Sequence, residues 1–367
     1  MVSTREKILI FLNAVSKTYG AETVVDQLTL EVATGELCVL IGLSGCGKST
    51  TLKMINRLIE PTAGSVFING APVVELKPEQ LRRKIGYVIQ NIGLFPHWTV
   101  EKNIAVVPNL LRWDRAKIKR RVNELLDLFD LDPDIYLNKY PDQLSGGQAQ
   151  RVGVARALAA DPDILLMDEP FGSLDPITRE TLQLELVRVH RELKKTIVFV
   201  THDIDEGIRL SDKIAVMNKG KVIQFDTPEK ILTNPASQFV HEFIGTDRGL
   251  RRLSRLAVKD YIQAAVSVRN SDTIGDVAAL LKREKYVWVT GKDNKLKGWL
   301  ESSTATAATD KIEKYYVPID ATFPLHEDNL LKEAVSRMLW QSVQTVPVVD
   351  QEFKLVGEIR FSDLLTD

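Results

Sequence analysis

A glycine-rich loop between an apolar run and a helical pattern constrains the fold of this chain more than any other feature. Residues 37–42, LCVLIG, are apolar throughout, which is typical of a strand buried on both faces of a parallel sheet. The overlapping GLSGCGKST, residues 42–50, contains the pattern G-x-x-x-x-G-K-[ST]. Glycines let backbone N–H groups close around phosphate oxygens, and a helix N-terminus favours their negative charge. The segment therefore predicts a phosphate-binding loop in an α/β fold.

Two side chains of this loop have individual predicted roles. Lys48 is expected to reach the β and γ phosphates of a nucleotide, and Ser49 is expected to ligate Mg²⁺. The nucleotide contacts predicted in the loop are Gly42, Ser44, Gly45, Cys46, Gly47, Lys48, Ser49 and Thr50.

A second apolar run ends in two carboxylates. The segment DILLMDEP, residues 163–170, delivers Asp168 and Glu169 to the carboxyl end of a strand, where open α/β sheets bind ligands. We expect Asp168 to hold Mg²⁺ through water and Glu169 to orient or deprotonate an attacking water. Other apolar runs, at 8–12, 196–202 and 213–217, alternate with helical patterns such as 115–131. This alternation predicts one α/β domain over residues 1–245.

The composition changes after this domain. Residues 246–257 are rich in arginine and are predicted to form a basic linker helix. An internal repeat follows, in which each copy shows a helical pattern and then two short strands. We expect two α+β half-domains, at 258–312 and 313–367, that pack together.

Several further motifs make residues 1–245 resemble the ATP-binding cassette (ABC) family, chief among them the second glycine-rich loop LSGGQAQR at 144–151. The resemblance implies an α/β nucleotide-binding domain with a helical subdomain. It implies that Tyr19 stacks on adenine, and that Gln90 contacts Mg²⁺ and water. It further implies that His202 senses the γ-phosphate, so that the expected catalytic residues are Lys48, Gln90, Glu169 and His202. The expected metal ligands are Ser49, Gln90 and Asp168.

The same resemblance explains why one chain has two glycine-rich loops. In this family two cassettes pack head to tail, so Ser145, Gly146 and Gly147 would cap the nucleotide held by the other copy. Asp175, in the SLD segment 173–175, resembles the loop that crosses to the partner. A homodimer closed around two ATP molecules is therefore expected, with Mg²⁺ as cofactor. Ala149 replaces a glutamine that is common in the family, with little expected loss.

The domain content of the chain predicts which kind of ABC protein it is. It has one cassette and no long coiled-coil insertion, which favours a transporter over DNA-repair or ribosome-acting relatives. Lysine plus arginine (48) nearly balances aspartate plus glutamate (49), so no nucleic acid partner is expected, although a nucleic-acid clamp stays the alternative of a different class. Residues 92–144 resemble the subdomain that grips a membrane permease, with Phe95, Pro96 and Trp98 as candidate contacts.

Both copies of the repeat resemble cystathionine-β-synthase-type (CBS) modules. A cassette followed by a CBS pair resembles the ATPase of quaternary-amine importers, which take up glycine betaine, proline, choline or carnitine. The expected partners are two transmembrane permease subunits and an extracytoplasmic substrate-binding protein or domain. Another small cationic or zwitterionic solute is the alternative. The expected location is peripheral, on the cytoplasmic face of the membrane.

The ligand of the CBS pair stays open. The family motif G-h-h-[ST]-x-x-D appears as GEIRFSD at 357–363, with Asp363 present but Arg360 in place of the serine or threonine. The first copy, GWLESST, has Glu301 and Thr304 at those places. AMP binding, a cyclic dinucleotide phosphate on Arg360, and a purely structural role are the three alternatives.

The basic linker suggests a different sensor. If it is helical, Arg248, Arg251, Arg252, Arg255 and Lys259 share one face, which would attract anionic lipid until salt screens it. A solvated linker is the alternative.

No run of about 18 apolar residues predicts a membrane span, and the N-terminal residues lack the pattern of a secretion signal. The two cysteines, Cys38 and Cys46, are expected to be reduced thiols in a cytosolic protein.

Overall fold

The computed structural model describes residues 7–90, 93–301, 303 and 308–364. The chain divides into two compact units, Met1–Arg248 and Gly249–Asp367. Thr304, which the sequence assigned to the first CBS motif, lies outside the described residues. Among the described helices, none is both long and apolar enough to cross a membrane.

The strands of the first unit form two sheets. Their bounds are β1 (Ile8–Tyr19), β2 (Glu22–Ala33), β3 (Leu37–Gly42), β4 (Ala63–Ile68), β5 (Ala71–Pro72), β6 (Ile85–Val88), β7 (Ile164–Asp168), β8 (Thr196–Val200), β9 (Lys213–Asn218) and β10 (Lys221–Asp226). An antiparallel sheet has the order β2-β1-β4-β5, and the larger sheet has the order β10-β9-β3-β8-β7-β6. The larger sheet is parallel except for the edge strand β10. All five apolar runs predicted as strands are strands, so the α/β class is confirmed.

Strand β3 shows why an apolar run forms the centre of this sheet. Leu37, Val39 and Ile41 pack into the hydrophobic core on one side, and Cys38 and Leu40 pack into the core on the other. Side chains alternate between the faces of a strand, so a strand covered on both faces needs an apolar residue at every position. This burial holds the carboxyl end of β3, and the loop that follows it, in one place.

The helices of the first unit cover the larger sheet and form a subdomain between β6 and β7. Their bounds are α1 (Lys48–Ile55), α2 (Pro78–Arg82), α3 (Val100–Ile104), α4 (Val106–Leu110), α5 (Arg115–Leu128), α6 (Pro133–Tyr136), α7 (Gly146–Leu158), α8 (Pro176–Leu193), α9 (Ile204–Leu210), α10 (Pro228–Thr233) and α11 (Gln238–Ile244). The helix predicted over 115–131 ends at Leu128, where Phe129 takes a non-helical conformation.

The second unit contains the predicted repeat. After α12 (Arg248–Leu253), its elements are β11 (Ser267–Arg269), α13 (Ile274–Leu281), β12 (Tyr286–Thr290), β13 (Leu296–Glu301), β14 (Val317–Pro318), α14 (Leu331–Gln341), β15 (Thr345–Val349) and β16 (Leu355–Arg360). Each copy is a helix followed by an antiparallel strand pair, so the helix–strand–strand pattern is confirmed. The sheets have the orders β11-β12-β13-β14 and β15-β16.

The two copies exchange segments across the boundary predicted at 312/313. Val258, near the predicted start of the first copy, is buried with Val346 and Ile359 of the second. Conversely, β14 pairs with β13 of the first copy. A two-stranded sheet buries little apolar surface alone, so each copy completes its core with chain from elsewhere.

The basic linker helix is shorter than the prediction over 246–257. Helix α12 ends at Leu253, where the Ser254 hydroxyl donates to the Arg251 carbonyl at 2.6 Å. Leu256 packs against the core of the second copy and Val258 is buried in it, which turns the chain away from a continued helix. Arg255 still lies in the turn that ends α12, where its N–H donates to the Arg252 carbonyl at 3.0 Å. Lys259 lies in a separate short turn, Val258–Asp260, so the single helical face predicted to include Lys259 is wrong.

Candidate functional site

The phosphate loop is held in a conformation that needs glycine. Gly42 and Gly47 have φ values of 154° and 100°, and Gly47 directly precedes α1. A Cβ at Gly42 would lie 2.3 Å from the Met217 carbonyl oxygen, and a Cβ at Gly47 would lie 2.7 Å from that of Val24. Both the torsion angles and the close backbone neighbours exclude larger residues here.

The predicted contacts of this loop divide between the loop and the helix. Gly42, Ser44, Gly45, Cys46 and Gly47 lie between β3 and α1, or at their ends, and Lys48, Ser49 and Thr50 form the first turn of α1. The Lys48 ammonium donates to the carbonyl oxygens of Gly42 and Leu43 at 2.8 and 3.1 Å. Lys48 is buried, so this charge sits inside the loop and close to the N–H groups of the helix start.

Ser49 and Asp168 meet although they are distant in sequence. The Ser49 hydroxyl donates to Asp168 Oδ1 at 2.8 Å. Asp168 is the last residue of β7, and it is buried. The pair offers a hydroxyl and a carboxylate oxygen beside the phosphate loop, and hard oxygen ligands of this kind suit Mg²⁺. The described residues thus fit the predicted metal site.

Two other predicted catalytic residues, Gln90 and His202, lie next to Glu169. Gln90 Nε2 donates to Glu169 Oε2 at 3.2 Å, and His202 Nδ1 lies 3.3 Å from the same oxygen. Glu169 has a φ of 44°, an uncommon backbone angle for a residue with a side chain. The ends of β6, β7 and β8 bring these three side chains to one edge of the sheet.

The turn that carries His202 is supported by residues that the sequence analysis missed. Thr201 Oγ1 donates to Glu206 Oε2 at 2.5 Å and accepts from the Asp203 N–H at 3.0 Å. Gln183 Nε2 donates to the other oxygen of Glu206 at 3.0 Å. Burial raises the pKa of Glu206, against the opposing effect of these donors. The signal in the sequence was the pair of polar residues that flank His202 in THDIDE.

The second glycine-rich loop lies at the start of α7. Ser145 Oγ accepts from the Gln148 N–H at 3.3 Å, and Gln148 Oε1 accepts from the Ser145 N–H at 3.0 Å. Gly146 and Gly147 form the first turn, whose N–H groups lack partners within a helix. A Cβ at Gly147 would lie 2.5 Å from Thr178 Cγ2 of α8.

The other two predicted nucleotide-site residues are Asp175, at the start of α8, and Tyr19, at the end of β1. Asp175 caps α8 by accepting from the Thr178 N–H at 3.0 Å, and hydrogen bonds from Thr178 lower the pKa of Asp175. Tyr19 is half-exposed at the end of β1, with Lys17 Nζ 5.0 Å from its ring centroid. Its ring is therefore accessible for stacking.

Phe95 and Trp98 form an exposed aromatic pair, with Pro96 between them in the chain. Their ring centroids lie 4.7 Å apart. Asn103, fully buried, holds this segment: its Oδ1 accepts from the Phe95 N–H at 2.8 Å, and its Nδ2 donates to carbonyl oxygens of Phe95, Trp98 and Thr99. Sequence reasoning missed Asn103 because an asparagine in a helical pattern carries no distinctive signal.

The candidate ligand residues of the second unit are already engaged. Arg360 Nε donates to Glu358 Oε1 at 2.6 Å, and this contact raises the pKa of Arg360. Asp363 Oδ1 accepts from the Ser362 hydroxyl at 3.0 Å. A phosphate at Arg360 would therefore compete with a carboxylate. Cys38 and Cys46 are both buried, free thiols.

The chain is similar in sequence to known transport proteins. The family model described as ABC transporter matches residues 25–172. The carnitine transport ATP-binding protein OpuCA of Listeria monocytogenes is 46% identical over 368 residues, covering 96% of this chain and 90% of that protein. The glycine betaine/carnitine/choline transport ATP-binding protein OpuCA of Bacillus subtilis is 45% identical, covering 96% of this chain and 94% of that protein.

The fold also matches solved structures. One is the dimeric structure of a post-hydrolysis state of the ATP-binding cassette MJ0796 bound to ADP and Pi. It is 34% identical, has a TM-score of 0.54, and covers 60% of this chain and 99% of its own.

Proposed function

Because this chain belongs to the ABC transporter family, we propose that it is the ATP-hydrolysing subunit of an importer for quaternary amines such as glycine betaine, carnitine or choline. The observation that carries the proposal is the similarity to transport subunits for these solutes over 96% of the chain, through both units. The ATP site itself is supported by the phosphate loop and by the contacts of Glu169 with Gln90 and His202.

The described side chains suggest how the nucleotide is held. Lys48, which donates to two loop carbonyls, would transfer its donors to phosphate oxygens. Ser49, Asp168 and Gln90 would hold Mg²⁺, which when bound neutralises charge on the phosphates. Glu169 would orient or deprotonate the attacking water, and His202 would contact the γ-phosphate. Tyr19 would stack on the adenine.

A homodimer would complete each site. Ser145 caps the start of α7, and the N–H groups of Gly146 and Gly147 in the first turn have no partner within the helix, which favours an anion there. Within their own chain these glycines face α8 and the segment before it. We propose that they cap the phosphates held by the other copy, and that Asp175 lies in the loop that crosses to that copy. The dimeric form of the related cassette supports this arrangement.

The membrane partners are inferred from the family. Two permease subunits would supply the pathway, and an extracytoplasmic binding protein would deliver the solute. The chain would bind peripherally at the cytoplasmic face, with Phe95, Pro96 and Trp98 against a permease helix. The second unit is proposed to be a regulatory CBS pair, and the three alternatives for its ligand stay open.

The test is uptake of labelled glycine betaine, carnitine and choline by cells that lack this chain. Complementation by the wild type, but not by Glu169→Gln at equal expression, is the expected result. Equal uptake with both forms would show that hydrolysis at this site does not drive transport. Uptake of none of the three solutes by the complemented cells would overturn the solute class.

A further inference from the structure

The second unit contains a cavity of about 230 Å³ that four aromatic residues help to line. Tyr286, Trp288, Trp299 and Phe323 contribute their side chains, and we call these four rings the aromatic cage. Pockets for drug-sized ligands have volumes of roughly 300–1,000 Å³. The cavity therefore suits a small ligand or a single head group.

Strand pairing places three of the rings on one face. Trp288 of β12 lies directly opposite Trp299 of β13 in the antiparallel pair. Directly opposite residues share a face of the sheet, and Tyr286, two residues before Trp288, points to that face as well. The Phe323 ring, from the segment after β14, lies with its centroid 6.3 Å from that of Trp299 at an interplanar angle of 42°. The four residues thus line one cavity, three of them from the sheet and Phe323 from the segment after β14.

The cage is held in place by hydrogen bonds behind it. The Trp288 indole N–H donates to Glu358 Oε2 at 2.6 Å, and Glu358 is itself bonded to Arg360. On the other side, Arg337 Nη1 donates to the Phe323 carbonyl at 2.9 Å. Rings that are fixed before binding lose little conformational freedom when a ligand enters.

One carboxylate accompanies the rings. Asp320 is exposed at the rim, and of the described residues that line the cavity it is the only one with a formal charge at neutral pH. Its Oδ1 accepts from the Thr322 N–H at 2.8 Å and from the Thr322 hydroxyl at 2.7 Å. These bonds lower the pKa of Asp320, so the rim is anionic. Gln341 and Thr345 add neutral hydrogen-bonding groups.

The four aromatic rings and the Asp320 carboxylate together favour a cationic ligand. The faces of aromatic rings attract cations, and quaternary ammonium groups in particular are bound by such cages. An anionic group would be repelled by the Asp320 carboxylate and by the electron-rich faces of the rings.

We propose that the aromatic cage binds a quaternary ammonium group, with Asp320 opposite its positive charge. The site lies wholly in the second unit and uses none of the ATP-site residues. Its occupant would be the solute that the importer delivers, an identification that rests on the proposed function. The second unit would then sense that solute directly.

The test is calorimetric titration of the purified full-length chain. The ligands are tetramethylammonium, choline and glycine betaine, with 3,3-dimethylbutanol as the uncharged counterpart of choline. We expect saturable binding of the three quaternary ammonium compounds, with choline at least about tenfold tighter than the alcohol. Asp320→Asn and Trp299→Leu should each weaken choline binding by about tenfold or more.

Matched variants separate loss of the site from loss of the fold. Trp340→Leu removes a tryptophan of the same unit that is 86% exposed and lies outside the cavity, and it should bind choline like the wild type. If Trp299→Leu does not fold, as judged by thermal unfolding, Phe323→Leu replaces it.

Three results would overturn the proposal. They are no heat with any quaternary ammonium compound, equal affinity for the uncharged alcohol, and choline affinity that is unchanged in folded Asp320→Asn. Heat from AMP alone, lost in Trp299→Leu, would assign the rings to adenine instead. Solute uptake in cells, without binding of quaternary ammonium compounds to the purified chain, would reject only the proposed site. Binding to the purified chain without uptake in cells would reject the proposed transport function and support the aromatic cage.

Discussion

At the scale of single residues, Glu169 is the predicted catalytic residue that contacts two of the others. It follows a fully buried strand, has an uncommon backbone angle, and shares one carboxylate oxygen between Gln90 and His202. Packing elsewhere maintains this geometry, since a strained residue persists only where its surroundings determine it.

Replacement of Glu169 by glutamine should remove the proposed general base and keep the shape of the side chain. We expect ATP hydrolysis to fall by about 10²- to 10⁴-fold, the usual contribution of acid–base catalysis. ATP binding should survive, so the ATP-bound dimer should accumulate. Steady-state hydrolysis and size-exclusion chromatography with ATP measure both effects. The exposed Glu192→Gln is the control. A Glu169→Gln protein that stays monomeric at saturating ATP would contradict the proposed dimer.

Glu206 should make stability depend on pH. Burial raises its pKa above the ordinary 4.5, so the folded state binds this proton more tightly than the unfolded state. Its contribution to stability is therefore greatest below 4.5 and is lost as the pH rises through the folded-state pKa. Glu206→Gln cannot titrate. Thermal unfolding from pH 4.5 upward should show the wild type losing stability relative to Glu206→Gln, and parallel curves would show that the carboxyl group is not responsible.

At the scale of elements, polar side chains decide how loops are presented. The segment 95–99 has no strand or helix of its own, and Asn103 of α3 supplies its hydrogen bonds from inside the subdomain. The exposed pair Phe95 and Trp98 is thereby held at the surface, where a permease contact is proposed.

Asn103→Ala should therefore destabilise the subdomain and weaken coupling. Truncation removes the printed partners of the Phe95 N–H and the Trp98 carbonyl, which are partly buried, at about 1–3 kcal/mol of unfolding free energy. We expect a lower unfolding midpoint in denaturant, and solute uptake reduced more than ATP hydrolysis by the isolated chain. Asn109→Ala, at an exposed position of the neighbouring helix, is the matched control. Uptake and hydrolysis reduced by equal factors would argue against a coupling role.

At the scale of the whole molecule, the two compact units carry different sites. Every predicted ATP-site residue lies in Met1–Arg248, and the aromatic cage lies in Gly249–Asp367. Each unit has its own hydrophobic cores, so each is expected to keep its structure without the other.

The protein truncated after Arg248 should thus retain ATP hydrolysis and ATP-dependent dimerisation within about twofold to threefold, and should bind no choline. Hydrolysis, size-exclusion chromatography and calorimetry on the same preparation measure the three properties. A folded truncated protein without ATPase activity would show that the second unit is needed at the ATP site.

The sequence by itself determined the sheet, the phosphate loop and the repeat. These depend on local patterns: an apolar residue at every position of a strand covered on both sides, glycines where backbone approaches backbone, and one helix–strand–strand order used twice. Their physical causes act within a few residues, so the pattern can be read from the chain alone.

Only the tertiary structure decided the rest. The supports at Asn103 and Glu206, the segment exchange between the repeat copies, and the early end of α12 depend on which groups meet after folding. The aromatic cage has the same origin, because strand register places Trp288 opposite Trp299 and a later segment adds Phe323. The type of a polar or aromatic residue does not specify which group it will contact. Partners such as Gln183 for Glu206 and Phe323 for Trp299 come from segments more than 20 residues away, and packing of the folded chain brings them together.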